Sequence, residues 1–389
     1  MTGANYPSAV PVSNTQSAGR PERLPNSTKG ERYVVLDLMR GLAALAVLVF
    51  HISYMLGSFS PGMDKGYLAV DFFFVLSGFV ISANYHVTVR PTIAWTTFLA
   101  ARFARLWPLF ILSTLLGAVV VVMKLSRDSG FFDVQGVFRS LALNCAMLPS
   151  FFQVYGVDRL FIFNGASWSV FFEFVVNLVF FAVLRGLSLK PLIALSTVFA
   201  GLLIFVAQAH GSLDGGWSAA TFNIGAVRVL FGFTAGMATY ALSRQMQFRI
   251  IGWLGATVVL GLCFCLSLVF FASGNWLVEC ALVILGFPLL VLLASRCELT
   301  GLTALLGGRL GDISYSVYLL QTPVMLFVAG ASQVLIGRKI AEFAPVSGLV
   351  FIIGMLGLSY LSWRYFEVPA RDYLRLRLRS RKERHAFQG

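Results

Sequence analysis

Long apolar stretches recur along this chain and restrict its fold more than any other feature. A bilayer core about 30 Å thick requires roughly 20 mostly apolar residues in each helix that crosses it. Hydrophobic residues make up 58% of the chain and charged residues only 12%, more apolar surface than a water-soluble domain can bury. The sequence therefore predicts an all-α polytopic integral membrane protein. We predict about ten transmembrane helices around an interior cavity, near residues 36–56, 67–85, 107–124, 168–185, 191–208, 222–242, 250–271, 277–294, 311–330 and 345–364.

Basic residues predict which way the chain crosses the membrane. The chain has 30 Lys and Arg against 17 Asp and Glu, a formal net charge of +13. Most of the basic residues fall in the two terminal tails and the even-numbered loops, and segments rich in Lys and Arg stay in the cytoplasm. We therefore expect both termini on the cytoplasmic side. Anionic membrane lipid explains the charge, and no nucleic-acid partner is expected.

Composition divides the chain into three regions. Residues 1–32 are rich in Ser, Pro, Asn and Gly and have no apolar run, which predicts a disordered cytoplasmic tail. Residues 33–370 are predicted to form the transmembrane domain. Residues 371–389 are predicted to form a basic cytoplasmic tail.

One further apolar stretch, at residues 137–152, resembles a span. It is short and contains polar or helix-breaking residues, namely Arg139, Asn144 and Pro149. An eleventh crossing here would also place the basic C-terminal tail outside the cytoplasm, against the distribution of Lys and Arg. We predict an interfacial or re-entrant segment in an external loop.

The first predicted helix, LDLMRGLAALAVLVFH, contains three ionisable residues, Asp37, Arg40 and His51. A charge at membrane depth costs at least about 2.5 kcal/mol and is retained mostly for pairing or function. Asp37 and Arg40 are three residues apart and can pair across one turn. Arg40 and His51 share a face and differ in height by about 16 Å. This face is predicted to line the cavity, with His51 toward the outer side.

Polar residues on other helices are predicted to lie near Asp37, Arg40 and His51, in one outer group and one inner group. The outer group consists of His51, Asp71, Glu173 and Arg228. The inner group consists of Arg40, Asp37, Arg102 and Arg105. Two further residues are expected to face the cavity, Ser77 below Asp71 and Trp168 at the outer end of the fourth helix.

Several of these residues also have a purely structural interpretation. Buried Asp and Arg side chains can connect helices without any chemical role, which applies to Asp37, Asp71 and Arg228. Arg102 and Arg105 can serve as topology anchors, although two guanidinium groups beside a cytoplasmic opening also suit a phosphate-bearing donor. These two interpretations stay open at the level of sequence.

His51 is the strongest candidate for chemistry. Histidine is a poor structural element in lipid, and the ordinary pKa of imidazole, near neutrality, suits it to take a proton from an attacking hydroxyl. No two His or Cys residues stand at metal-ligand spacing, so no metal site is predicted.

Six fragments in order carry a resemblance to a known family. They are LDLMRGLAALAVLVFH, GYLAVDFFFVLSGFVIS, RFARLWPL, SWSVFFEF, GDISYSVYLLQTPV and RYFEVPAR. On a background of ten helices, the chain resembles the membrane-bound acyltransferase family 3, whose members O-acylate bacterial surface and exported polysaccharides. The resemblance implies a multi-pass protein of the bacterial inner membrane.

The same resemblance implies a reaction and its partners. An acyl group, acetyl or succinyl, would pass from cytoplasmic acyl-CoA to a hydroxyl of a glycan or its lipid-linked precursor, with polysaccharide-synthesis proteins as further partners. No permanently bound cofactor is implied. Arg40 and His51 match the family's essential residues, and Arg102 and Arg105 match the pair associated with the donor.

The resemblance also suggests roles for three other positions. Glu173 occupies the acidic position after Trp-Ser and is expected to orient or charge His51. Tyr315, in GDISYSVYLLQTPV, is expected to face the cavity. Gln321 stands where many members carry His, so no acid–base work is assigned to it.

Two other functions are compatible with this composition. A proton-coupled transporter or flippase would also place charges at membrane depth, but the charges here do not recur in two matched halves. A scaffold in a polysaccharide-export complex would not need His51 and Arg40. Turnover of acyl-CoA by the purified protein separates the enzyme from both alternatives.

Overall fold

The computed structural model describes residues 33–56, 65–125, 134–152, 158–271 and 274–378. All regular elements in these ranges are helical. In chain order the α-helices are α1 (Val34–Leu56), α2 (Ala69–Tyr85), α3 (Trp95–Leu125), α4 (Val134–Cys145), α5 (Ser167–Val179), α6 (Leu189–His210), α7 (Phe222–Ser243), α8 (Gly252–Phe271), α9 (Trp276–Ala281), α10 (Phe287–Arg296), α11 (Gly301–Leu335), α12 (Val346–Ser362) and α13 (Val368–Leu378). Three π-helical turns continue these helices, at Phe180–Leu184, Leu282–Gly286 and Trp363–Glu367.

Ten helical segments within the described ranges are long and apolar enough to cross a membrane. They are Val34–Ser53, Gly66–Tyr85, Trp95–Met123, Ser167–Leu184, Leu189–His210, Phe222–Ser243, Gly252–Phe270, Trp276–Arg296, Gly301–Leu335 and Val346–Leu378. The predicted all-α polytopic membrane fold is confirmed.

Three of these spans extend well beyond their predicted limits, and one of them is the ninth, Gly301–Leu335, which was predicted at residues 311–330. The third begins at Trp95, about three turns earlier than expected, and the last continues to Leu378. Helix α3 runs through Pro108, so Arg102 and Arg105 lie inside it rather than before it. Hydropathy marks only the apolar part of a helix, whereas the hydrogen-bonded helix continues past that part.

The apolar stretch at residues 137–152 does not form a span. Helix α4 has 12 residues, or roughly 18 Å, which is too short to cross the bilayer. It packs against α3, where Trp107 Nε1 donates to the Cys145 carbonyl oxygen at 3.2 Å. Phe138 on its other side is 67% exposed. The prediction of a non-spanning segment is confirmed.

Glycines allow the central helices to approach closely, as is common in lipid. Helix α2 packs against α7, and a Cβ atom at Gly78 would lie 2.0 Å from the carbonyl oxygen of Phe233. Reciprocally, a Cβ atom at Gly236 would lie 2.1 Å from the carbonyl oxygen of Val75. Larger residues at these glycines would separate the two helices, so the glycines allow the distance at which α2 and α7 pack.

The structure describes the terminal regions only in part. The predicted tail of residues 1–32 lies outside the described residues. At the other end α13 continues to Leu378, so the predicted basic tail of residues 371–389 begins within a helix, and its last part, from residue 379, is again outside the described residues.

Candidate active site

Arg40 is held on α1 between an acid of its own helix and the backbone of α11. Its Nη2 atom lies 2.9 Å from Asp37 Oδ1 and donates to the Gly311 carbonyl oxygen at 2.8 Å. Its Nε atom donates to Ser314 Oγ at 3.0 Å. The predicted pairing of Asp37 with Arg40 is present, and α11 adds partners that helical spacing does not reveal.

His51 lies further along α1, with its ring oriented by its own helix. Its Nδ1 atom is 2.9 Å from the carbonyl oxygen of Val47. Because a carbonyl oxygen can only accept, this contact requires the proton on Nδ1 and leaves a lone pair on Nε2 of the neutral ring. The Phe50 ring packs edge-on against the imidazole, with centroids 5.3 Å apart. Nε2 is thus the atom available to accept a proton.

Two loops bring opposite charges toward His51. Among the described residues, the ionisable side chains whose charges act on its imidazole are Arg159 and Asp214, and both are exposed. The Arg159 guanidinium lies 6.0 Å from the ring centroid of Trp217, which links the two loops. We call the end of the bundle that carries Arg159, Asp214 and Trp217 the loop end.

Glu173 lies among arginines. Ser77 Oγ donates to Glu173 Oε1 at 3.1 Å. The guanidinium groups of Arg102, Arg105 and Arg40 are the charged neighbours of this carboxylate among the described residues. The depth of Glu173 explains this, since it lies six residues into α5, about 9 Å from the first residue of that helix.

This position differs from the predicted one. The sequence assigned Glu173 to the outer group, and the family resemblance implied that it orients or charges His51. Among the described residues the hydrogen-bond partner of the imidazole is Val47 and that of the carboxylate is Ser77. The backbone of α1 therefore supplies the orientation that was expected from Glu173, and Glu173 joins the group of Arg40.

Arg105 on α3 is paired with a glutamate of the last span. Its Nη1 atom lies 3.1 Å from Glu367 Oε1, and the Glu367 side chain is 1% exposed. Glu367 Oε2 also accepts from Ser316 Oγ at 3.0 Å. The Arg105 guanidinium lies 5.5 Å from the ring centroid of Tyr315, whose hydroxyl donates to the Leu106 carbonyl oxygen at 2.7 Å. Tyr315 thus connects α11 to α3.

Arg102, one turn before Arg105, contacts an aromatic ring. Its guanidinium lies 5.2 Å from the ring centroid of Tyr85. Its Nε atom is buried and has no hydrogen-bond partner in the described part of the chain. A buried N–H group without a partner costs roughly 1–3 kcal/mol, so an incoming anion would relieve this cost. The two arginines that the sequence treated as a pair therefore differ in their bonding.

Asp71 and Arg228 form a buried ion pair between α2 and α7. Arg228 Nε lies 3.0 Å from Asp71 Oδ1 and Nη2 lies 2.7 Å from Asp71 Oδ2. Nη1 donates to the Gly215 carbonyl oxygen at 2.7 Å, and the guanidinium lies 5.2 Å from the Trp168 ring. The two side chains are 0% and 1% exposed. Of the two interpretations open for Asp71 and Arg228, this geometry favours a contact between helices, and Trp168 packs against it.

Two buried glutamates carry weaker sequence signals and were not predicted as site residues. Glu367 is the acid of RYFEVPAR and ends the π-helical turn Trp363–Glu367, a local geometry that often marks functional sites. Glu279 on α9 is 1% exposed, pairs with Lys65 and accepts from the Leu213 amide at 2.7 Å. An acid inside an apolar span is the signal that identifies both, although it does not identify their partners.

Gln321 is buried on α11. Its Nε2 atom donates to the Tyr318 carbonyl oxygen at 3.1 Å, while its Oε1 atom has no partner among the described residues. The side chain therefore has acceptor capacity to spare.

The fully buried acids of the described ranges lie in separate ion pairs rather than in a cluster. No group of three or more His, Cys, Asp or Glu residues that could hold a metal ion occurs in residues 33–56, 65–125, 134–152, 158–271 and 274–378. The buried acids are instead paired with Lys or Arg, as described for Asp71, Glu279 and Glu367.

Three relatives are similar to this chain over part or most of its length. "Protein 2 in picA locus" of Rhizobium radiobacter is 33% identical over 186 residues, covering 46% of this chain and 95% of that protein. "Putative membrane-bound transacylase BcsY" of Komagataeibacter xylinus is 26% identical, covering 87% of this chain and 83% of that protein. "O-acetyltransferase OatA" of Staphylococcus aureus is 22% identical, covering 86% of this chain and 57% of that protein.

The match to a known protein family covers most of the chain. No solved structure matches the chain. The family described as an acyltransferase domain matches residues 33–364, a range that contains every span of the bundle in whole or in part. The chain therefore belongs to this acyltransferase family, as a multi-pass membrane protein.

Proposed function

We propose that this protein moves an acyl group, most simply acetyl, from acetyl-CoA to a hydroxyl of a surface or exported polysaccharide or of its lipid-linked precursor. The relatives named as a transacylase and as an O-acetyltransferase support the reaction. The proposal includes the bacterial inner membrane, with both termini in the cytoplasm and residues 33–370 as the catalytic domain. Succinyl-CoA is the alternative donor.

The observation that carries this proposal is the separation of two chemistries along α1. Arg40, Arg102 and Arg105 stand at one level of the bundle, since all three are electrostatic neighbours of Glu173. His51 stands eleven residues further, about 16 Å away, and faces the loop end. A donor that carries phosphates at one end and a thioester at the tip of a long flexible arm suits this separation.

The arginine level is suited to the donor. Guanidinium groups bind phosphates through paired charge-assisted hydrogen bonds. Arg102 has a buried Nε atom without a partner, so it gains most from such a ligand. Arg105 and Arg40 are already bonded to Glu367 and Asp37, so in this proposal they position the donor rather than hold it alone.

His51 is suited to the transfer step. Its Nε2 lone pair takes the proton of the acceptor hydroxyl as the oxygen attacks the thioester carbonyl carbon. The carbon–sulfur bond then breaks, the thiolate of CoA leaves, and the proton held on His51 passes to that sulfur. The products are an O-acyl ester and free CoA, and the ring returns to its neutral form.

The acceptor approaches from the loop end in this proposal. His51 faces the exposed pair Arg159 and Asp214, and exposed charged side chains can hydrogen-bond sugar hydroxyls. Trp217, 39% exposed, offers an apolar ring face to a sugar.

Purified protein in liposomes tests the proposed function directly. Radiolabelled acetyl-CoA is supplied on one side, and label is followed into glycan extracted from the parent organism and added on the other side. We expect transfer of label together with release of CoA. Glycan from cells that lack the protein should carry fewer O-acyl groups than glycan from wild-type cells. Unchanged O-acyl content together with no acetyl-CoA turnover would contradict the proposal and favour a transporter.

A further inference from the structure

Five arginines from four segments converge near Tyr85, at the end of the bundle opposite the loop end. They are Arg90, Arg102, Arg185, Arg371 and Arg375. The guanidinium groups of Arg90 and Arg102 each lie 5.2 Å from the Tyr85 ring centroid, and Arg185 Nε donates to the Tyr85 carbonyl oxygen at 2.8 Å. We call this cluster the basic end.

Helix α13 brings the outermost members of the basic end. It packs against α3, and the charges that act on Arg375 include those of Arg371 and Arg102. Among the described groups that act on Arg375, only Asp372 is an acidic residue, and Asp372 pairs with Arg371 at 3.3 Å. Like charges brought together repel one another, so the cluster favours a ligand that carries several negative charges.

The members of the cluster differ in depth. Arg375 is exposed near the end of α13, whereas Arg102 is half-buried and its Nε atom lacks a partner in the described part of the chain. A chain of guanidinium groups therefore leads from solvent toward Arg105 and the interior. Arg185 is already engaged, because it also donates to the Arg90 carbonyl oxygen.

We propose that Arg375, with Arg371 and beside Arg102, forms a subsite that recognises the ribose 3′-phosphate of the CoA donor, which makes the last helix part of the donor site. This inference rests on the proposed function, which supplies the CoA donor. Arg375 contacts the terminal phosphate at the solvent edge, and Arg102 contacts the phosphates closer to the thioester arm. The headgroup of an anionic lipid offers the same phosphate chemistry, and the experiment below distinguishes the two sources.

The test compares two ligands that differ by one phosphate. The full-length protein is placed in nanodiscs of zwitterionic lipid, and bound radiolabelled acetyl-CoA is displaced by CoA or by 3′-dephospho-CoA. We expect wild-type protein to bind CoA at least about tenfold more tightly than 3′-dephospho-CoA, the scale of one lost charge-assisted contact. Arg375→Gln should weaken CoA binding by about the same factor and leave 3′-dephospho-CoA binding unchanged.

The matched control is Arg377→Gln, on the same exposed helix. Arg377 lies over the Tyr373 ring, 5.4 Å from its centroid, and its loss should leave the ratio of the two affinities unchanged. An Arg375→Gln variant that binds both ligands as wild type does, or loses both equally, would overturn the inference.

The lipid source is tested by repeating the measurement in nanodiscs that contain phosphatidylglycerol. If Arg375→Gln alters binding only when this anionic lipid is present, and alters it equally for both ligands, the phosphate belongs to a lipid and the inference is wrong. Wild-type protein that binds acetyl-CoA without distinguishing the 3′-phosphate would refute this inference alone. Wild-type protein that binds no acetyl-CoA would refute the proposed function as well.

Discussion

His51 owes its orientation to a hydrogen bond within its own helix. The Val47 carbonyl oxygen fixes the Nδ1 proton, so the Nε2 lone pair points away from the α1 backbone. In many active sites a carboxylate does this work, and a carboxylate was expected here in Glu173. A backbone carbonyl orients the ring without adding a full negative charge beside it, which suits a site surrounded by lipid-facing helices.

Replacement of His51 by Ala is predicted to lower acyl transfer by roughly 10²- to 10⁴-fold, because the attacking hydroxyl then has no base. Displacement of radiolabelled acetyl-CoA should be nearly unchanged, since His51 lies about 16 Å along α1 from Arg40, which stands at the level of the arginines proposed to bind the donor. Initial rates of label transfer in liposomes measure the first effect. Asn should not restore activity, because its amide cannot take a proton at neutral pH.

His210→Ala is the control for this substitution. His210 is exposed at the end of α6, and its loss should leave transfer as in wild type. Normal transfer by correctly inserted His51→Ala protein would refute the base mechanism, although the family assignment would stand.

At the scale of elements, α2 and α7 are held together in two different ways. Glycines at Gly78 and Gly236 bring the backbones close, and the ion pair of Asp71 with Arg228 closes the contact nearer the loop end. A buried pair of this kind adds little stability compared with apolar residues, but removal of one partner strands a charge. The pair therefore fixes which residues of the two helices face each other.

Asp71→Ala is predicted to destabilise the fold by about 3–5 kcal/mol, because Arg228 is left buried without its counter-charge. Arg228→Leu should have a similar effect through the stranded Asp71. The double variant should lose less than the sum of the two, since it buries no lone charge. Thermal unfolding in detergent measures all three.

The rate of acyl transfer per folded molecule separates a structural role of the Asp71–Arg228 pair from a direct role in the reaction. Single variants that retain wild-type thermal stability but lose acyl transfer would show that Asp71 and Arg228 act on substrate, contrary to the structural role argued here.

At the scale of the whole molecule, the bundle has two chemically different ends. The loop end offers a mixed pair of charges and an exposed Trp217, whereas the basic end offers arginines. Basic segments remain on the cytoplasmic side of a membrane. In the orientation proposed above, the same asymmetry that directs insertion places the proposed phosphate subsite on the cytoplasmic side, where acyl-CoA is made.

Cysteine labelling is predicted to place the two ends on opposite sides of the membrane. Asp214→Cys should react with a membrane-impermeant maleimide in intact spheroplasts, because Asp214 is exposed at the loop end. Arg377→Cys should react only after the membrane is permeabilised. The parent protein, with its native cysteines, gives the background. Labelling of Arg377→Cys in intact spheroplasts would reverse the proposed orientation.

The sequence alone determined the features that depend on local repetition. Ten spans follow from apolar runs that match the bilayer thickness, and the pair of Asp37 with Arg40 follows from their spacing of one turn. The tertiary structure alone decided which distant charges meet. Arg105 pairs with Glu367, 262 residues away, Lys65 pairs with Glu279, 214 residues away, and Glu173 joins the arginines instead of His51. Helical periodicity specifies the face and height of a residue on its own helix, but the partner across the interface depends on how the helices are rotated and shifted against one another, which is set by packing of the whole bundle.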